Sequence, residues 1–230
     1  MILKHFNNLE TGVKSLFAYF KFNLKKMIFL YALNSFIPVF AQSYVEFFKA
    51  IETDQAQVVQ RLLQRGFDPN TPSPQLQPAL TLALQTDALM VAETLIAWPS
   101  IKVNQVNPND ETPLMMAALK GHLKLAIQLL ARGAQVNKPG WSPLHYAAAG
   151  GHAPVARWLL EQNADINAAS PNGTTPLMMA AHYGNPEVTR LLIEQGADLK
   201  LKNQLGLTAL DFAMNGPHKE SVTLIEARTR

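Results

Sequence analysis

Four stretches of the chain repeat one pattern of apolar and polar positions. They open on Thr112-Pro113-Leu114, Ser142-Pro143-Leu144, Thr175-Pro176-Leu177 and Thr208-Ala209-Leu210. The middle positions of these openings are 30, 33 and 33 residues apart. A pair of small residues follows in three of them: Ala117-Ala118, Ala147-Ala148 and Ala180-Ala181. Next comes Gly121-His122, Gly151-His152 or Gly184-Asn185, and then a leucine-rich stretch at Leu129-Leu130, Leu159-Leu160 or Leu191-Leu192-Ile193. Each unit closes near Gly133-Ala134, Asn163-Ala164 or Gly196-Ala197. The pattern predicts two short helices per unit and a turn between units.

The residue types say why. A Thr or Ser hydroxyl before the first helix can accept from free backbone N–H groups. Pro suits the first helical position, where its missing N–H is not needed. The alanine pairs keep the first helix thin, so that neighbouring units can approach. Gly121, Gly151 and Gly184 are placed to end the first helix in the left-handed conformation. The second helix buries its leucines at helical spacing, and Gly133, Asn163 and Gly196 end it, Asn being the next best residue at positive φ. Gly173 and Gly206 are expected in the turns between units. One such helix pair cannot bury its apolar face alone, but a stack can.

A repeat of this length opening on T-P-L-H-x-A, here Ser142-Pro143-Leu144-His145 with Ala147, resembles the ankyrin-repeat family. The resemblance runs from about residue 44 to the C-terminus. Two weaker copies precede the four: residues 44–77, with Val58-Val59, Leu62-Leu63 and Gly66-Phe67-Asp68-Pro69-Asn70, and residues 78–111, with Pro78-Ala79-Leu80, Leu95-Ile96 and Val103-Asn104. The expected architecture is all-α: a solenoid of stacked antiparallel helix pairs over 44–230, with repeats at about 44–77, 78–111, 112–141, 142–174, 175–207 and 208–230. Polar Glu52, Thr53, Asp54 and Gln55 suit one end cap, and Lys219, Glu220, Arg228 and Arg230 the other. Two departures stand out. The third repeat is three residues short in its closing turn, Asn137-Lys138-Pro139-Gly140-Trp141, which places Trp141 at the turn's edge. The second ends in Trp98-Pro99-Ser100, where an irregular last turn is expected.

Ahead of the repeats, residues 27–40 read MIFLYALNSFIPVF, after Lys25 and Lys26. The run is shorter than the roughly 20 apolar residues a membrane-crossing helix needs. A basic flank, a short apolar core and the small-residue exit Val39-Phe40-Ala41 describe a secretory signal peptide over residues 1–41. The alternative is that these residues are kept as a membrane anchor. The leader also explains the basic balance. Five of the 20 basic residues (Lys4, Lys14, Lys21, Lys25, Lys26) but only one of the 17 acidic ones (Glu10) precede residue 42. The rest is close to neutral, without the basic stripe of a nucleic-acid binder, so nucleic acid is set aside as a partner. The chain has no cysteine. Disulfides, thiolate metal sites and cysteine nucleophiles are excluded, and no thiol can mispair in an oxidising compartment. Leader and repeats together are similar to the small periplasmic ankyrin-repeat proteins of Gram-negative bacteria, which implies a periplasmic location.

No motif for catalysis or a cofactor is present: no G-x-S-x-G, no H-E-x-x-H, no phosphate-binding loop. His122 and His152 recur in the turn between helices, too far apart to converge on one metal ion. His145 is expected to pair with the Ser142 hydroxyl. Met115-Met116 and Met178-Met179 are read as core. The resemblance implies another protein as partner, bound by the turn tips and the exposed ends of the first helices, which line a concave face. By phase the candidates are Asn109, Lys120, Trp141, Asn172, His182, Tyr183 and Leu205. The aromatics Trp141, His182 and Tyr183 are the foremost, because aromatic side chains anchor most protein interfaces. Trp141 has a second reading, in which it only packs over the shortened turn.

Overall fold

The computed structural model describes residues 36–183, 186–217 and 219–229. The leader reading falls mostly on residues 1–35, and the Gly184-Asn185 turn and Arg230 also lie outside the described residues. Among the described residues there are twelve helices and no β-strand. The described residues divide into two compact units, one ending at Asp110 and one starting at Glu111, each of them a stack of antiparallel helix pairs.

The first unit holds α1 (Phe36–Glu52), α2 (Ala56–Gln64), α3 (Ala79–Gln85) and α4 (Leu89–Ala97). Helix α1 runs without a break past Ala41, the expected end of the leader. Its core is aromatic: Phe47 stacks at 4.6 Å on Phe67 and meets Phe48 edge-on at 5.3 Å. Asp54 ends this first helix region with φ +51, and its carboxylate accepts from the backbone N–H groups of Met90 and Val91. One repeat thus caps the second helix of the next, replacing a local cap. Helix α4 stops at Trp98 in an extended conformation, as a residue before proline favours.

The second unit holds α5 (Pro113–Leu119), α6 (Leu123–Ala131), α7 (Pro143–Gly150), α8 (Ala153–Glu161), α9 (Pro176–Tyr183), α10 (Pro186–Glu194), α11 (Ala209–Asn215) and α12 (Lys219–Thr229). The odd-numbered helices form an inner layer in which α5, α7, α9 and α11 pack in order. The even-numbered ones form an outer layer in the same order and pack less extensively. Alanine is the reason: Ala117, Ala118, Ala147, Ala148, Ala180 and Ala181 are buried where inner helices meet. In the outer layer, Leu129, Leu159 and Leu192 are buried, each side chain contributing about 1.5–3 kcal/mol by leaving water.

The inner helices of this unit share one reciprocal device at their starts. The Thr112 hydroxyl accepts from Met115 N–H while Thr112 N–H donates to the Met115 sulfur, at 3.3 Å each way. Thr175 and Met178 repeat it, and Thr208 N–H donates to the Asp211 carboxylate at 2.7 Å. The hydrogen bonds from the Thr208 hydroxyl and N–H hold the Asp211 carboxyl below the usual carboxylate range. Helix ends follow the glycine phases, with Gly121, Gly133, Gly151 and Gly196 at positive φ and Asn163 at φ +63.

Candidate interaction surface

The turns between repeats are built alike. In residues 170–174, Gly173 N–H donates to Ser170 C=O at 2.8 Å and Ser170 N–H to Thr174 C=O at 2.9 Å. Residues 203–207 repeat both bonds, with Gly206 in the place of Gly173. The two neighbouring turns are tied together, Gln204 N–H donating to Asn172 C=O at 2.9 Å and the Gln204 side-chain amide to Pro171 C=O at 2.8 Å. A Cβ on Gly173 would stand 3.2 Å from Asn203 Cα, so glycine serves both the conformation and the close approach.

A second ladder ties repeats together one step behind the turns. The Asn70, Asn137 and Asn167 side chains accept from the N–H groups of Lys102, Asp165 and Asp198 in the following repeat, at 2.8–2.9 Å. Sequence reasoning missed this role, although the recurrence of Asn four residues after Gly66, Gly133 and Asn163 is a usable signal.

His145 is fully buried in α7. Its Nδ1 accepts from Ser142 N–H at 3.2 Å and lies 2.8 Å from the Ser142 hydroxyl, while Nε2 lies 2.9 Å from Thr174 C=O. A backbone N–H can only donate, so Nδ1 is unprotonated and Nε2 carries the proton that Thr174 receives. Burial pushes the pKa of this imidazole below its ordinary value, against the raising effect of the Thr174 and Ala168 carbonyls and Asp165. The side chain is therefore a neutral clasp between one repeat and the turn that ends it. His152 has a different task, its ring lying against Gly121 and Gly150, where a Cβ would collide with it.

The candidate residues fall into distinct surroundings. Asn109 belongs to the first unit, exposed in a turn where its N–H is held by the Asn107 side chain. The others belong to the second unit. Leu205 is 80% exposed on a turn whose backbone the Asn203 side chain fixes from two sides. Tyr183 is 57% exposed at the end of α9. Half-buried His182 joins it edge-on at 4.9 Å and reaches Phe212 of α11 at 5.9 Å, so these three rings form one cluster across two repeats. Lys120 is half-buried where α5 ends. Asn172 is exposed, yet its side-chain oxygen is taken by the Ser170 hydroxyl and Thr174 N–H and shapes the turn. Trp141 is half-buried and packs edge-on against His145 at 5.2 Å, beside the shortened turn.

Three further residues join the surface. Tyr146, Met179 and Phe212 each stand three positions after the opening Pro or Ala of an inner helix, and each is half-buried. The Tyr146 hydroxyl donates to Glu111 at 2.9 Å. The whole inner layer is nearly uncharged: helices α5, α7, α9 and α11 contain a single Asp or Glu, the capping Asp211, and no Lys or Arg. The outer helices carry Lys124, Arg157, Glu161, Glu187, Arg190, Glu194, Lys219 and Glu220. A helix face left to water normally carries charge. Here only the outer layer follows that rule.

Comparison with known proteins agrees with this geometry. A family model described as Ankyrin repeats (3 copies) matches residues 80–170, and one described as Ankyrin repeats (many copies) matches residues 161–213. Together they take in more than half of the chain. Among solved structures, the human ASB11 ankyrin repeat domain is similar at 25% identity and a TM-score of 0.71, over 79% of this chain and 82% of that one. A search of curated proteins found no match.

Proposed function

The chain belongs to the ankyrin-repeat family, and we propose that it is a non-catalytic adaptor that grips another protein with its charge-poor inner face in the periplasm. The fold is that of a protein-interaction scaffold. The observation that carries the proposal is the contrast between layers: charge on the outer helices, almost none on the inner ones, and exposed Tyr183 and Leu205 where the inner face meets the turns. Such anchors cost the free protein little and bury apolar area only when a partner covers them. The basic flank and short apolar run at residues 25–41, which the sequence offers as a leader, support the location.

A second reading keeps residues 1–41 as a membrane tether. What favours it is α1, which passes through Ala41 as one helix. Among the described residues no helix is long and apolar enough to cross a membrane. Fractionation separates the two: the first expects release with the periplasmic fluid and a chain shortened by its leader, the second expects full length in the membrane fraction.

The binding reading is tested by pull-down from cell extract, comparing the tagged chain with a Tyr183→Ala, Leu205→Ala double variant. Both side chains are exposed, so the variant keeps its fold. A protein held by the first and released by the second supports the site, and equal capture removes it. Trp141→Ala is a poor probe, because it also strips the buried His145 clasp of its cover.

A further inference from the structure

Two Asn-Gly pairs stand in the chain, Asn172-Gly173 and Asn215-Gly216. Such a pair can modify itself, because the glycine has no Cβ to shield its nitrogen. The glycine N–H gives its proton to hydroxide, and the nitrogen bonds to the asparagine Cγ. A succinimide ring closes and the side-chain nitrogen leaves as ammonia. Water then opens either ring carbonyl. The products are aspartate and isoaspartate, in which the main chain runs through the former side chain. Closing the ring turns the asparagine carbonyl and the glycine N–H together and swings the side chain over them. The hydrogen bonds that hold these groups must open first, so they decide which pair reacts.

The first pair is locked. Gly173 N–H donates to Ser170 C=O at 2.8 Å, and Asn172 C=O accepts from Gln204 N–H of the next repeat at 2.9 Å. The Asn172 side-chain oxygen accepts from the Ser170 hydroxyl at 2.6 Å and from Thr174 N–H at 3.2 Å. The second pair ends a helix. Asn215 is the last residue of α11 and is exposed. Gly216 N–H donates to Ala213 C=O at 3.1 Å and the Asn215 amide to Asp211 C=O at 3.0 Å, both within that one helix end. Helix ends fray, so these two bonds open without disturbing a neighbouring repeat.

We propose that Asn215-Gly216 is a site of spontaneous deamidation whose products loosen α11 from α9. Gly216 lies against the end of α9. A Cβ on it would stand 2.6 Å from the carbonyl oxygen of His182 and 3.0 Å from that of Ala181. Isoaspartate adds a main-chain carbon directly before this glycine, where there is no room to take it up. Either product also puts a carboxylate at the C-terminal end of α11, where the helix dipole opposes it. Phe212 of the ring cluster is carried by the same helix, so the change reaches the inner face.

The test incubates the purified chain at mildly alkaline pH, folded or in urea, and maps deamidated peptides by mass spectrometry. In the folded chain, conversion at Asn215 is expected to be about tenfold faster than at Asn172 or more, from the additional hydrogen bonds that hold Asn172. In urea the two rates should converge. The aged chain is expected to unfold at a lower urea midpoint than fresh chain, and an Asn215→Gln chain aged alike to keep its midpoint. Equal rates in the folded chain, faster conversion at Asn172, a bias that persists in urea, or no conversion at Asn215 while the unfolded chain reacts overturns the site. An unchanged midpoint once Asn215 is converted overturns the loosening of α11.

Discussion

Replacing Gly150 by alanine sets two effects against each other, and the structure decides the sign. Gly150 is the last residue of α7 and is not at positive φ. Judged from the helix alone, Ala would be preferred by up to about 1 kcal/mol, less at a terminal position. A Cβ there would collide with the carbonyl oxygen of Leu119 and stand 2.7 Å from the His152 ring and 3.1 Å from Leu119 C. The obstacle is backbone at the end of α5, so no rotamer change relieves it. Helices α5 and α7 must part, and overpacking of this kind costs about 1–3 kcal/mol. The net expectation is a loss of about 1–2 kcal/mol, seen as a lower urea midpoint. Ala149→Gly, one residue earlier and half-buried, is the companion measurement, with an expected loss of about 0.5–1 kcal/mol from the helix term alone. A Gly150→Ala midpoint equal to or above that of the parent chain would refute the close-approach argument.

The His145 clasp makes stability depend on acidity. Because burial lowers its folded pKa, the unfolded state binds the proton first, so urea midpoints should hold steady above about pH 6.5 and fall as the pH drops below it; a His145→Gln chain with the same acid slope would show that the slope arises elsewhere. Asn163 sits at φ +63, so Asn163→Ala should cost about 1–2 kcal/mol by thermal or urea unfolding while Asn163→Gly stays near neutral, and equal effects of the two would remove the left-handed requirement. Tyr183→Ala and Leu205→Ala should each change stability by no more than about 0.5 kcal/mol, since neither is buried; a larger loss would make them structural.

Much of the helix framework was legible in the chain because local chemistry decides it. The Thr-Pro-Leu and Ser-Pro-Leu openings became helix starts, Gly151 and Asn163 became left-handed helix ends, and His145 met the Ser142 hydroxyl. Irregularity after Trp98 was readable from Pro99. What stayed hidden depends on neighbours in space. The sulfur atoms of Met115 and Met178 take the place that His145 fills in its own repeat, which no propensity indicates. Leu76 holds φ +61 at 55% exposure, in a turn position that falls to Asp110, Gly173 and Gly206 in other repeats, and the turn keeps the same Ser73–Gln77 backbone bonds. The surface was harder still. Trp141 and Asn172 share a phase with good contact residues, but one faces His145 and the other braces its own turn. Met179 was read as core, yet it is half-buried at the surface, and Tyr146 and Phe212 were overlooked, because an apolar residue on a short inner helix reads as core until its exposure is known.

The central claim is that the inner face, not the charged outer one, receives the partner. The direct measurement places one carboxylate on each face, Tyr183→Asp at the end of α9 and Ile127→Asp on α6, where Ile127 is 46% exposed. Both variants should keep their helical circular dichroism, and partner capture should be lost with Tyr183→Asp and kept with Ile127→Asp. Capture kept by the first and lost with the second would contradict the account.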